Sequence, residues 1–196
     1  MELGNWYTTY TRFKRWGKAG VWKEIVEAVS GDRNLEALMI DSTVVRAHQH
    51  ASGAAKRRTS RIGRSRGGLS SKIHVAVDAR GNPVRWLLTR EEESDMNQGL
   101  PFIKGFEAKA ILADKGYDSN VFVDYIHTNG MLAVIPPKKN RLVQREYDRH
   151  LYKDRNSVER FFNRIKQFRR LATRHEKLDR NFLSFINLVF AYLWIY

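Results

Sequence analysis

Residues 110–135, AILADKGYDSNVFVDYIHTNGMLAVI, carry the pattern that decides the fold class. The stretch opens on an apolar run, Ala110-Ile111-Leu112-Ala113, that stops at the carboxylate of Asp114. Val121 to Asn129 follows as a helix, closed by Gly130, because glycine adopts the left-handed conformation that ends a helix at little cost. Leu132-Ala133-Val134-Ile135 is a second buried strand, and Pro136-Pro137 stops it because proline has no N–H to give to a sheet. Upstream, Ile73, Val75 and Val77 alternate with His74, Ala76 and Asp78. Arg80-Gly81-Asn82-Pro83 then turns the chain and Val84 to Thr89 returns, which predicts an antiparallel hairpin. Farther upstream, Ala37-Leu38-Met39-Ile40 is another short strand ending on a carboxylate, Asp41. Downstream, Val158, Phe161, Phe162, Ile165, Phe168 and Leu171 recur at helical spacing within a helix expected over Tyr152 to Arg170. Trp6, Tyr10, Phe13 and Trp16, then Val21, Trp22, Ile25, Val26 and Val29 after the Gly17-to-Gly20 break, predict two short amphipathic helices. The fold class expected is α/β, a mixed sheet with flanking helices behind a short helical N-terminal element.

The chain has 196 residues, 42% of them hydrophobic, enough to bury a core and to exclude wholesale disorder. It has no cysteine, which excludes disulfides, thiolate metal sites and thiol nucleophiles. The N-terminus shows no charged-then-apolar leader, and the longest apolar stretch, Phe182 to Tyr196, is too short for a bilayer. A cytoplasmic protein without a membrane partner is expected. Phe182 to Tyr196 is apolar nearly all round, so burial in the core or against a second subunit is expected.

Lys and Arg number 35 against 21 Asp and Glu, a net charge of +14. Such a surplus favours a polyanion, because each cation set on a phosphate releases a counterion. The surplus is uneven: +9 over residues 41–90, −5 over 91–135 and +9 over 136–196. Basic arms thus flank an acidic centre. Lys56, Arg57, Arg58, Arg61, Arg64, Arg66 and Lys72 are interspersed with Gly and Ser and no acid, as in a loop that orders on a phosphate backbone.

Ligands of α/β sheets bind beyond the carboxyl ends of the strands, so Asp41 and Asp114 would share a crevice if their strands were parallel neighbours. Two carboxylates so close repel unless a cation lies between them, and oxygen donors favour Mg²⁺ or Mn²⁺ over zinc. On the Tyr152-to-Arg170 helix, Arg155, Glu159 and Lys166 fall on one edge of the apolar stripe, and Tyr152 joins them if the helix starts that early. A metal ligand beside phosphate-binding groups and a plain set of surface ion pairs both fit that edge.

The spacing Tyr152-x2-Arg155-x3-Glu159-x6-Lys166 resembles the Tyr-Arg-Glu-Lys signature of bacterial insertion-sequence transposases of the DDE type. Met39-Ile40-Asp41-Ser42-Thr43 and Ala113-Asp114-Lys115-Gly116-Tyr117-Asp118 resemble that family's first and second catalytic blocks, and Gly67 to His74 its lead-in to the hairpin. The resemblance implies a ribonuclease-H-like fold in which Asp41, Asp114 and Glu159 hold two divalent ions, Mg²⁺ or Mn²⁺. It implies cleavage of double-stranded DNA at transposon ends, strand transfer into target DNA, and a homo-oligomer on the DNA. Tyr152, Arg155 and Lys166 would position end phosphates and flanking bases. Similar transposases carry a longer N-terminal recognition region before the Trp-Tyr stretch that here begins at Trp6. Residues 1–35 are therefore expected to be a remnant of a helical DNA-binding region and 36–196 the catalytic domain. A non-catalytic DNA-binding fragment that competes with an intact transposase is the alternative. An RNA-binding protein is disfavoured, because no module for stacking single-stranded bases is present.

Three smaller features complete the reading. His48 and His50 are expected as solvated loop histidines that could touch metal or phosphate. Glu91-Glu92-Glu93 with Asp95 is expected as a solvated turn, and Asp118 as a helix N-cap.

Overall fold

The computed structural model of the protein describes residues 4–53, 60–65 and 67–196. Two helices come first, α1 (Trp6–Ala19) and α2 (Val21–Val29). Helix α1 runs through Gly17, and the break falls at Gly20 alone, whose φ of 85° a side chain would oppose. Half of the aromatic stripe packs: Trp16 and Phe13 contact Trp22, whose indole N–H donates to the Phe13 carbonyl at 3.1 Å, while Trp6 and Tyr10 are exposed. Helix α2 buries Val26 in the same core as the last helix, α7 (Asp179–Ile195).

The sheet is built around β1 (Ala37–Ala47). On one side lies β3 (Gly68–Val77), antiparallel to β1, with β4 (Pro83–Arg90) and the short β2 (Gly63–Ser65) antiparallel to β3 in turn. On the other side β5 (Ala110–Leu112) runs parallel to β1, and β6 (Leu132–Val134) parallel to β5. An antiparallel β4-β3-β1 half continued by parallel β5 and β6 makes the expected mixed sheet. The strand that opens the sheet is longer than its apolar run. It continues past Asp41 to Ala47 because β3 keeps pairing with it, as far as Arg46 opposite Ser70.

Both faces of the sheet are covered, which is why β1 and β5 read as continuous apolar runs rather than alternating ones. Met39, Val75, Leu112 and Val134 face α5 (Asn156–Lys166) and α7 in one core. Leu38, Ile40, Ala76 and Ile111 face α3 (Asp95–Ile103) and α4 (Asn120–Thr128) in the other. Phe182, Ile186 and Phe190 of α7 lie in the first core, while Leu188, Tyr192, Ile195 and Tyr196 of the same apolar segment stay exposed.

The helix expected over Tyr152 to Arg170 is subdivided. Leu151–Arg155 is a 3₁₀ turn and α5 follows. Extended Phe168 then breaks the chain ahead of α6 (Arg169–Ala172). Tyr152 and Arg155 therefore sit on the turn leading into α5. Next, β7 (Thr173–Arg174) pairs parallel with Arg46 and Ala47 at the far end of β1. Arg174 is fully buried; its guanidinium donates to Ser71 Oγ at 2.8 Å, the Glu176 carbonyl at 3.1 Å and Asp179 Oδ1 at 2.5 Å. It thereby ties β3 to the start of α7. Among the described residues, no helix is long and apolar enough to cross a membrane.

Candidate active site

Register places the two aspartates. Met39 of β1 lies opposite Leu112 of β5, and Asp41 and Asp114 each stand two residues beyond that pair. Side chains alternate along extended backbone, so both carboxylates lean to the face of Met39 and Leu112, which α5 covers. The strands are parallel neighbours, as the sequence reading required, although β1 runs on past Asp41 to Ala47 rather than ending there. Asp114 is held by its own loop: its Oδ1 accepts the Gly116 N–H at 2.8 Å. A side chain at Gly116 would put its Cβ 2.8 Å from that oxygen, which is why a glycine belongs there. Asp41 Oδ1 accepts the backbone N–H of Ser42 at 2.7 Å.

The third carboxylate reaches the first through an arginine. Arg155 Nη1 donates to Asp41 Oδ2 at 2.9 Å, and Nη2 donates to Glu159 Oε1 one turn along the helix. The same guanidinium lies 5.7 Å from the centre of the Tyr152 ring, so Tyr152, Arg155 and Glu159 form one unit. Burial raises the Asp41 carboxyl above its ordinary value; the Ser42 N–H and Arg155 oppose that, and the charge of Asp114 adds to it. Burial likewise raises Tyr152, with Arg155 opposing it and Asp114 adding to it. These reciprocal influences mark one shared electrostatic neighbourhood.

Three neighbours escaped the sequence reading. Asp95 was expected in a solvated acidic turn, but it opens α3, on the sheet face opposite the one toward which Asp41 leans. Ser42 Oγ donates to its Oδ1 at 3.1 Å and Lys72 Nζ pairs with it at 3.1 Å. Lys72, expected on DNA, is thereby half-buried in an internal ion pair. The buried Tyr117 phenol is pushed far up, first by burial and then by Asp95, Asp41 and Asp114. His74 is pushed down to about 4, mainly by burial, and its Nδ1 lies 3.7 Å from Asp95 without a hydrogen-bond partner.

Asp118 is not a helix cap; Ser119 caps α4. Instead Asp118 is buried and gathers the loop before Tyr152, accepting from the Lys138 N–H at 2.8 Å, Arg141 Nε at 2.9 Å and Arg145 Nη1 at 2.7 Å. Burial alone would raise it, but the Arg141 hydrogen bond, the Lys138 N–H and the two arginine charges hold it below its ordinary value.

The other expected contacts are scattered. Lys166 ends α5, exposed and without an ion pair among the described residues. Arg61 and Arg64 are exposed on and beside β2, and the Arg61 N–H donates to Asp179 Oδ2 at 2.9 Å. Lys56, Arg57, Arg58 and Arg66 lie outside the described residues. His48 stacks on His175 at 4.7 Å and meets His50 edge-on at 4.5 Å, a cluster at the far end of β1. A cavity of about 540 Å³ between α2, β4 and α7 is lined by Glu27 and Asp179 but by none of the three candidate carboxylates, Asp41, Asp114 and Glu159. These sit instead at an open margin, with the Glu159 side chain 49% exposed, as a polymer substrate requires.

The transposase DDE domain model matches residues 33–194. The chain belongs to that family. It is a transposase-type enzyme, a polynucleotidyl transferase and endonuclease. It is 33% identical, over 65% of its own length and 99% of the relative's, to a protein named as the transposase for insertion sequence element IS6501 of Brucella ovis. It is 30% identical to the one named for IS402 of Burkholderia cepacia, over 55% of this chain and 54% of that protein. Among solved structures, the Mos1 strand transfer complex aligns with 89% of this chain and 57% of its own at a TM-score of 0.33 and 12% identity, too distant to bear on function.

The donor set of this family member is all oxygen, which suits a hard divalent cation. Among the described residues, no three Asp, Glu or His side chains are already placed to hold one. The guanidinium of Arg155 takes the position between Asp41 and Glu159, so the space between those carboxylates already accommodates positive charge. The residues fit the ion chemically, with Arg155 as its competitor.

Proposed function

We propose that the chain cleaves double-stranded DNA at the ends of an insertion sequence and joins them to target DNA, with Asp41, Asp114 and Glu159 holding two divalent ions, Mg²⁺ or Mn²⁺. The supporting observation is the pair of register-matched aspartates, one of them tied to Glu159 through Arg155. The ions would supply a deprotonated nucleophile and polarise the scissile phosphate. In cleavage, a water oxygen bonds to phosphorus as the P–O3′ bond opposite breaks; the water gives up a proton to solvent and the leaving O3′ takes one, which frees a 3′-hydroxyl. In joining, that hydroxyl oxygen bonds to a target phosphorus as the target's own P–O3′ bond opposite breaks, and the hydroxyl proton passes through solvent to the leaving O3′. Arg155, released from Asp41 and Glu159, carries its planar fork to a phosphate, the geometry for which arginine is suited. Tyr152 stacks beside it and Lys166 adds charge farther along α5. Arg61 and Arg64, with Lys56, Arg57, Arg58 and Arg66 nearby in sequence, extend the grip, and residues 1–35 serve as a helical end-recognition element before the catalytic domain, 36–196. Several copies would assemble on one DNA.

The test is cleavage of supercoiled plasmid in Mg²⁺ or Mn²⁺, wild type beside Glu159→Gln. Cutting by wild type alone, with binding retained in both, is the expected result. Cutting that survives in the variant would remove Glu159 from the site. Binding by both without cutting would favour the competitor reading, which the Arg155-filled site also accommodates.

A further inference from the structure

Between β6 and the Leu151–Arg155 turn, residues 136–150 form a loop held from below and bare at its tip. The Asp118 carboxylate draws together Lys138, Arg141 and Arg145, and Asn120 Oδ1 accepts from both arginines. Gln144 closes the loop internally, donating to the carbonyls of Lys138 at 3.2 Å and Arg141 at 2.9 Å. The two residues between, Leu142 and Val143, are 102% and 76% exposed. A loop whose base is fixed by this many hydrogen bonds holds its apolar tip in place. Along the same loop Lys139 and Arg149 are exposed and Lys138 is half-buried, with Glu146 and Asp148 exposed beside Arg149, so the loop's five cations outnumber its two acids. The far end of the loop abuts the site, for Tyr147 contacts the Tyr152 ring at 5.5 Å. At the near end, Asp118 stands four residues after Asp114.

We propose that Leu142 and Val143 are a wedge that enters a base step of duplex DNA beside the carboxylates and unstacks it. Proteins that kink duplexes insert apolar side chains between bases while neighbouring cations hold the phosphates, and this loop has both parts on a rigid base. The inference rests on the DNA reading above and deepens it by assigning the contact that opens the duplex near the site. Unstacking at the tip would give the backbone next to Asp41, Asp114 and Glu159 the freedom to turn into line.

The probe is a duplex of about 40 base pairs in which the adenines of several TA steps, the steps that unstack most readily, are replaced by 2-aminopurine. Its fluorescence and its binding are followed together for wild type and for the double variant Leu142→Ser, Val143→Ser, whose positions are too exposed to disturb folding. Wild type is expected to bind and brighten the probe severalfold, and the double variant to bind with similar affinity and leave it dark. Equal brightening by the variant overturns the wedge. Wild-type binding without brightening overturns the wedge and leaves the DNA reading standing. Absence of binding overturns both. Self-association of wild type that the variant abolishes would assign the tip to a second copy and likewise overturn the wedge.

Discussion

Asp41 bears the main conflict in the site. Its folded-state carboxyl is raised above the ordinary 3.8, chiefly by burial. As pH climbs, the unfolded chain ionises first, so ionising Asp41 costs the native state; the group favours folding most at low pH, and that advantage is lost as pH rises through the folded value. Asp41→Asn should therefore melt higher than wild type near neutral pH, with the gap closing below about pH 3.8, while DNA cleavage is abolished. Thermal unfolding across that range checks it. A lower melting temperature at pH 7 would mean that the Arg155 pair outweighs burial. The conflict is what the proposed function would demand: a carboxylate free enough of solvent to bind a cation tightly is a destabilising one when none is there.

At the scale of elements, the loop of residues 136–150 depends on one buried carboxylate. Removing the charge in Asp118→Asn leaves Arg141 and Arg145 half-buried without their anion, a change that typically costs about 3 kcal/mol. Hydrogen exchange should speed up through 138–150, with the sheet protected as before. Because Asp118 is held below its ordinary value, the stability it gives is present above about pH 3.8 and is lost as pH falls through its lower folded value. A loop equally protected in wild type and variant would show that the anchor is elsewhere. The same element marks a limit of the sequence. The hairpin and the 110–135 strand-helix-strand were legible because alternation, Gly130 and Pro136-Pro137 act locally. The continuation of β1 through Ser42-Thr43-Val44-Val45 depends on pairing with His74 to Ser71, and the two-residue β7 has no pattern of its own. Asp41, Asp114 and Glu159 stood out as candidates by position along strands and helix, and the family resemblance joined them into one set. Asp95 and Asp118 did not, since what makes them matter is Lys72 and the Arg141–Arg145 pair, 23 to 27 residues away in both cases.

For the whole molecule, the uneven charge governs association. Basic segments on either side of an acidic centre would set the phosphate backbone across a margin where carboxylates wait. Binding to duplex of any sequence should weaken about a thousandfold or more between 50 and 200 mM salt if at least six phosphates are contacted. A titration monitored by fluorescence anisotropy reads the slope directly. A nearly flat response would mean that the +14 charge is spread over surfaces that never meet DNA. The sheet has a further consequence at this scale. Because Met39 is paired with Leu112, the spacing of Asp41 from Asp114 is set across strands and is independent of the length of chain between them. Additions at the Ala79–Asn82 turn or in the Lys104–Lys109 connection would leave the aspartate pair intact. Loss of a single residue between Met39 and Asp41 would turn the carboxylate to the α3 and α4 side. A lineage of such elements can drift freely in turn length, but at that one point in β1 a single lost codon silences the gene.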